Sequence, residues 1–219
     1  MKIKEYLQKH IDKIYKSYCK KSVFTNYKII GVRNNKLKRY AKTIIKKYDL
    51  NDYLLNTNFK SFDEMQLYIH VLNELDDYDL VVKNLKIILK IIDNWCSCDT
   101  IRPKCFDNNL DKVEQIICEW IESSAIYEKR FGILCFIRYF SSDTTKLEKI
   151  FNIKSQEYYV NMARAWYFTE LLSNNFDETF NFLKIKKLDN ETLSMMFQKI
   201  SYSAKISAEN KILLKDLRK

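Results

Sequence analysis

Two glycines and one proline in 219 residues constrain this chain more than any other feature. β-Sandwiches and barrels need a turn every few residues, and Gly, Pro and Asn-Gly pairs normally make those turns. Dinucleotide and P-loop sites need glycines that let the backbone approach a phosphate. Gly31 and Gly132 can supply neither, so the sequence predicts an all-helical chain without a nucleotide-binding loop. Hydrophobic residues at 47% and charged residues at 30% are ordinary globular composition, which argues against extended disorder. The length suits one domain over residues 1–219, or one compact repeat array, with room for a sizeable core.

The apolar periodicity is helical throughout. Ile3, Leu7, Ile11, Ile14 and Tyr18 predict one helix over residues 2–20, with Lys9, Lys13, Lys16 and Lys20 on another face. A connecting segment runs from about Lys21 to Asn35. Over residues 36–48 the stripe Leu37, Tyr40, Ala41, Ile44, Ile45, Tyr48 is backed by Lys38, Arg39, Lys42 and Lys46. Ser61-Phe62-Asp63-Glu64 reads as a capping box opening a helix through about Asn73. Another helix starts at Asp77 or Tyr78 and runs to Ile92. Asp93 is the expected cap of a helix from Asn94, which Pro103 kinks or ends. Residues 109–122 bury Leu110, Val113, Ile117 and Trp120, and residues 126–140 follow. Asp143, Ser155, Asp189 and Ser207 read as later N-caps. Roughly eleven or twelve helices result, paired at about forty-residue spacing as in HEAT or armadillo arrays.

The charge is uneven. Residues 1–60 hold 16 Lys/Arg against 4 Asp/Glu, a net +12, while the remaining 22 and 24 give −2. Such asymmetry suits a polyanion, either nucleic acid or an anionic membrane surface. A lysine-rich solvated face encoded by an AT-rich genome accounts for the same composition equally well. No run reaches the roughly 20 apolar residues of a membrane span, and the N-terminus lacks a signal-peptide apolar block. Six cysteines, most at apolar helical positions, read as free thiols in a reducing cytosol. Cys96 and Cys98 form a Cys-x-Cys, and His10 and His70 lie far from them, so the spacing argues against a zinc site.

Asp93-Asn94-Trp95-Cys96-Ser97-Cys98-Asp99 is the segment richest in chemistry. Trp95 and Asp99 are four apart and share a helix face. An aromatic plate beside a carboxylate suits a cationic ligand or developing positive charge. On spacing alone, a half-buried tryptophan beside a capping or ion-paired aspartate is the simpler reading. Arg130 opens an otherwise apolar helix, where it holds a phosphate or an acidic neighbour. Trp166 and Trp120 read by default as core.

Four segments in order are recognisable. Ile29-Ile30-Gly31-Val32-Arg33 is followed by Leu37-Lys38-Arg39-Tyr40-Ala41-Lys42. Then come Ile92-Asp93-Asn94-Trp95-Cys96-Ser97-Cys98-Asp99, Glu128-Lys129-Arg130-Phe131-Gly132-Ile133, and Tyr158-Tyr159-Val160-Asn161-Met162-Ala163-Arg164-Ala165-Trp166-Tyr167. Over nearly its whole length the chain thus resembles the AlkD-like DNA alkylation-repair glycosylases, especially their short bacterial branch. Asn35 departs from that pattern, which often has Pro there. The resemblance implies a HEAT-like α-α superhelical solenoid whose concave basic face cradles duplex DNA containing alkylated bases. It implies excision of positively charged N3- or N7-alkylpurines, with Trp95 and Trp166 as aromatic plates, Asp99 as the carboxylate and Arg130 as the matching arginine. It also implies that the base can stay stacked during excision. A tyrosine of the family near the N-terminus has three nearby candidates, Tyr15, Tyr18 and Tyr27.

Joined to the charge pattern, the resemblance makes Arg33, Lys38, Arg39 and Lys42 the candidate phosphate-binding residues, giving salt-sensitive affinity with little sequence preference. No metal, cofactor, membrane or obligate protein partner is called for, and a cytoplasmic monomer is expected. Two other readings stay open: a non-catalytic member of the fold that binds DNA or RNA structures, and a helical protein-interaction scaffold.

Overall fold

A computed structural model describes residues 2–218. It is all-α: fourteen α-helices and three short 3-10 turns, with only isolated β-bridges and no strand among the described residues. No described helix is long and apolar enough to cross a membrane. All six cysteines are free thiols. The described residues fall into two compact units, one up to Val113 and one from Glu114.

The first unit begins with α1 (Ile3–Lys9) and α2 (Lys13–Ser22). The single helix expected over residues 2–20 is therefore two. The break falls at residues 10–12 because the chain pairs there with a later loop. Ile11 bridges Val32, the Asp12 N–H donates to the Gly31 carbonyl at 2.9 Å, and the Asp12 carboxylate caps α2 through the Tyr15 N–H. The expected stripe fails with the break. Leu7 is buried, but Ile14 is 80% and Tyr18 64% exposed.

After the loop of residues 23–33 come α3 (Asn34–Lys47) and α4 (Leu50–Leu55). In α3, Leu37, Tyr40, Ala41 and Ile44 are buried and Lys38, Arg39, Lys42 and Lys46 point to solvent, as the periodicity predicts. Tyr48 lies beyond the helix and is exposed. The short α4 was not anticipated; Asp49 caps it, accepting from the Asn51 and Asp52 N–H groups.

Helix α5 (Phe62–Asn73) is buried along nearly all of its length and packs against α3 and α7 (Trp95–Thr100). Ser61 caps it through the Glu64 N–H at 3.2 Å, while the Glu64 carboxylate accepts from the Lys60 N–H, one residue before the expected partner. Helix α6 (Tyr78–Ile91) begins at the second of the two expected starts, with Asp77 capping it through the Leu80 N–H.

Helix α8 (Leu110–Glu122) buries Val113, Ile117 and Trp120 but leaves Leu110 partly exposed. In the second unit, α9 (Ile126–Tyr139) meets the last turns of α8 at Gly132. A Cβ there would lie 2.7 Å from the Ile121 Cγ2, so the helices approach too closely for any side chain. The core helix of this unit is α11 (Tyr158–Asn174), which packs on α9, α12 (Phe176–Ile185) and α13 (Asn190–Tyr202). The short α10 (Leu147–Phe151) precedes it and α14 (Ala208–Leu213) closes the array. Asp143, Asp189 and Ser207 cap as expected. Ser155, three residues before α11 begins, instead accepts from the N–H of Glu157, which stands at the cap position.

Candidate functional site

The loop of residues 23–33 is the foundation of the site in the first unit. Its end is wrapped around Asp63, whose carboxylate is 1% exposed. Asp63 accepts from the Ile30 N–H at 2.6 Å, the Gly31 N–H at 3.0 Å and the Val32 N–H at 2.6 Å. Three converging backbone donors satisfy a buried anion that would otherwise be very costly. Burial pushes the carboxyl above its ordinary range, while the three N–H groups pull the other way by favouring the anion. The wrap requires Gly31, which sits at φ +97° with Lys16 Cβ only 2.4 Å from where its own Cβ would stand. Sequence reading placed Asp63 inside a capping box and missed this clamp. The Gly31 breaker was the one available signal.

The other end of the loop is tied to the residue before Asn94. Asp93 was the expected cap of α7, but Asn94 takes that role, accepting from the Ser97 N–H at 2.8 Å. Asp93 is spent on the loop. It accepts from Thr25 Oγ1 at 2.7 Å and the Asn26 N–H at 2.6 Å. Loop and helix α7 are thus locked together from both sides.

On α7, Ser97 and Cys98 face inward, and Gln66 of α5 donates to Ser97 Oγ at 3.0 Å. That anchoring turns Trp95 and Asp99 to the partly exposed side, both half-buried, four residues apart as the spacing requires. The Trp95 indole N–H donates to the Ser22 carbonyl at the end of α2, at 3.2 Å, which fixes the ring by its edge. Cys96 packs on the buried cluster of Cys19, Val23, Ile29 and Phe62. Burial, with the neighbouring Cys19 and Asp99 adding, pushes its thiol up to about 12, so it is a neutral packing group rather than a nucleophile.

The three tyrosines separate. Tyr15 is packed against the Cys19 cluster, and burial raises its phenol well above the ordinary value. Tyr27 is half-buried in the same cluster, and Tyr18 projects from α2.

Of the basic candidates, Arg39 is exposed, its Nε donating to the Asn35 carbonyl at 3.4 Å. Lys38 and Lys42 are exposed and share Glu74, at 3.9 and 3.6 Å. Arg33 is already engaged within the protein. Its Nε donates to Asp12 at 2.6 Å and its guanidinium lies 5.5 Å from the Tyr15 ring centre. Lys38 and Lys42 line a groove of about 570 Å³ with Arg102 and Lys104, two cations that sequence reading did not single out.

Arg130 and Trp166 belong to the second unit. Arg130 is only 4% exposed, and one guanidinium N–H donates to the Tyr159 carbonyl at 2.6 Å, bracing α9 against the start of α11. Trp166 is half-buried rather than core. Its indole N–H donates to Glu170 at 3.3 Å, and the Lys199 ammonium stands 5.2 Å from the ring centre. The ring face therefore already attracts a cation. Two residues earlier on α11, buried Arg164 donates to Asn161, Asp189 and Thr192 at 3.1, 2.8 and 2.9 Å, joining α11 to α13. Its role was not legible, because its partners on α13 lie 25 or more residues downstream.

Chemically, the first unit offers an indole face, a half-buried carboxylate and a basic surface. Among the described residues no three His, Cys, Asp or Glu side chains are placed to hold a metal ion. Comparison with curated proteins returns no match. A family model described as DNA alkylation repair enzyme matches residues 2–197, nearly the whole chain, and the protein belongs to that family.

Proposed function

We propose that the protein is a DNA glycosylase that excises positively charged N3- or N7-alkylated purines from duplex DNA by hydrolysis. N-alkylation makes the purine a cationic leaving group, so the glycosidic bond is already weak and no strong general acid is needed. What remains is to stabilise positive charge on the departing sugar and to position a water. Asp99, as an anion in a partly desolvated setting, does both. Trp95 packs on the deoxyribose and favours the cation through its ring face. On the second unit, Trp166 is a further candidate for contact with DNA, carried on a helix that Arg130 braces. On the first unit, exposed Lys38, Arg39 and Lys42, with the guanidinium donors of Arg33 that Asp12 leaves over, take the phosphates.

The observation that carries this reading is the Trp95 and Asp99 pair, held half-exposed on one side of α7 in a DNA alkylation repair family member. Binding without catalysis is the second reading, and it has its own support. Arg130 and Trp166 are already engaged inside the protein, with Tyr159 and with Glu170 and Lys199. Single-turnover release of base from methylated duplex, at saturating enzyme, separates the two. Wild type should release alkylpurine, and Asp99→Asn should be slower by on the order of a hundredfold while binding DNA nearly as well. Equal rates for the two proteins remove Asp99 from the mechanism. Binding with no release by wild type establishes the second reading.

A further inference from the structure

The most exposed aromatic ring in the first unit's loop has no structural task. Phe24 is 74% exposed. It sits on a held part of the loop: its neighbour Val23 is buried, Thr25 and Asn26 are bound to Asp93, and the Tyr27 N–H donates to Thr25 Oγ1 at 3.2 Å. A large apolar side chain on a mobile tip needs no explanation. One held outward by a hydrogen-bonded loop does, because burying a Phe side chain normally contributes to folding and here that gain is forgone.

Its surroundings say what it meets. Phe24 lines an open groove of about 730 Å³ together with Lys16, Lys20 and Lys28. Lys20 and Lys28 have no acidic partner among the described residues. The one carboxylate in the groove is Asp93, and its oxygens already accept from Thr25, Asn26 and Asn94. An aromatic ring flanked by unpaired lysines is the arrangement by which proteins hold nucleic acid without reading sequence. The ring stacks on a nucleotide and the ammonium groups take the phosphates. The loop follows directly on Ser22, whose carbonyl accepts from the Trp95 indole, and it is tied through Asp93 to the start of α7. Whatever Phe24 touches is therefore registered against Trp95 and Asp99.

We propose that Phe24 is a stacking finger. Its ring packs on a nucleotide neighbouring the alkylated one, while Lys20 and Lys28 hold phosphates of the same strand. The proposal rests on the DNA repair reading above and adds a positioning residue to it. By loosening the base step beside the lesion, the ring gives water a path to the sugar without drawing the damaged base into a pocket.

The test uses the full chain and a duplex carrying 2-aminopurine beside a methylated or an unmodified purine. Binding of wild type should brighten the 2-aminopurine, and Phe24→Ala should not. Phe24→Ala should weaken binding about tenfold on both duplexes with the salt dependence unchanged, and Phe24→Trp should restore it. Lys20→Ala with Lys28→Ala should instead flatten the slope of log affinity against log salt by roughly two. The ring is exposed, so folding of these variants is not at issue. Binding by Phe24→Ala within twofold of wild type, or unaltered brightening, overturns the proposal. If wild type releases no base yet Phe24→Ala loses affinity, excision fails and the finger stands. If wild type releases base and Phe24→Ala binds normally, the finger fails alone.

Discussion

Asp63→Asn is the substitution that most directly tests the account of the site. The amide has the size of the carboxylate but only one acceptor oxygen, and its nitrogen is a donor. If the oxygen keeps the Val32 and Gly31 N–H groups, at 2.6 and 3.0 Å, the amide nitrogen is left facing the Ile30 N–H across 2.6 Å. One charge-assisted bond, worth about 1.5–3 kcal/mol, is then replaced by two donors that cannot satisfy each other. A buried orphan donor costs a further ~1–3 kcal/mol. A total of about 2.5–6 kcal/mol follows, a large part of the roughly 5–15 kcal/mol that holds a domain folded. Asp63→Ala, which orphans all three N–H groups, should cost at least as much.

Urea unfolding followed by circular dichroism measures this. The midpoint should fall with the slope unchanged, since the amount of surface exposed on unfolding stays the same. A loss below about 0.5 kcal/mol for Asp63→Asn refutes the clamp as a determinant of stability.

Further outcomes follow from other positions. Gly31→Ala should cost about 2–4 kcal/mol in the same assay, from positive φ together with displacement of α2, because the new Cβ falls 2.4 Å from Lys16 Cβ and 2.9 Å from its Cα; a neutral result would mean that the loop has another conformation. His70 is pushed down to about 4 by burial, aided by Lys38 and opposed by Glu74. Its folded value lies below the unfolded 6.5, so the unfolded chain takes up the proton first, and stability should fall between about pH 6.5 and 4 by up to about 3 kcal/mol. His70→Gln should flatten that part of the stability profile, and an unaltered profile would exclude His70 as its source. Replacing Lys38, Arg39 and Lys42 together by Ala should flatten the salt dependence of DNA binding by roughly one unit per lost contact, and an unchanged slope means this face does not touch DNA.

What was legible in the sequence was local. The stripe Leu37, Tyr40, Ala41, Ile44 and the caps Asp143, Asp189 and Ser207 are within a few residues of what they organise, and the structure has them as read. What failed depended on distant partners. Period alone says that Ile14 and Tyr18 share a face, but not that any element covers it, and none buries them. Asp63 has an ordinary sequence position for an acidic residue in the first turn of a helix. Its partners lie 31 to 33 residues upstream, and no periodicity reports them. Arg130, read as holding a phosphate or an acidic neighbour, donates to a backbone carbonyl 29 residues downstream, and Arg164 gave no local signal because its carboxylate partner lies 25 residues away.

The same distinction decides how the candidate site is held. Helix α7 has six residues, too few for a helix to persist on its own. Trp95 and Asp99 therefore owe their presentation to contacts outside it: Ser97 with Gln66, Trp95 with Ser22, and Asp93 with Thr25 and Asn26. Two of those three run into the segment spanning residues 22–33, whose far end Asp63 clamps. Loosening the clamp should consequently be felt at Asp99, even though the two side chains lie in different helices. Asp63→Asn should lower base release and DNA affinity together, because it disturbs the placement of the whole surface. Asp99→Asn should lower release alone, because it changes only a charge that matters most when the sugar becomes cationic. If Asp63→Asn, at a temperature where it remains folded, releases base at the wild-type rate, then α7 is positioned by α5 alone and the loop is not part of the site.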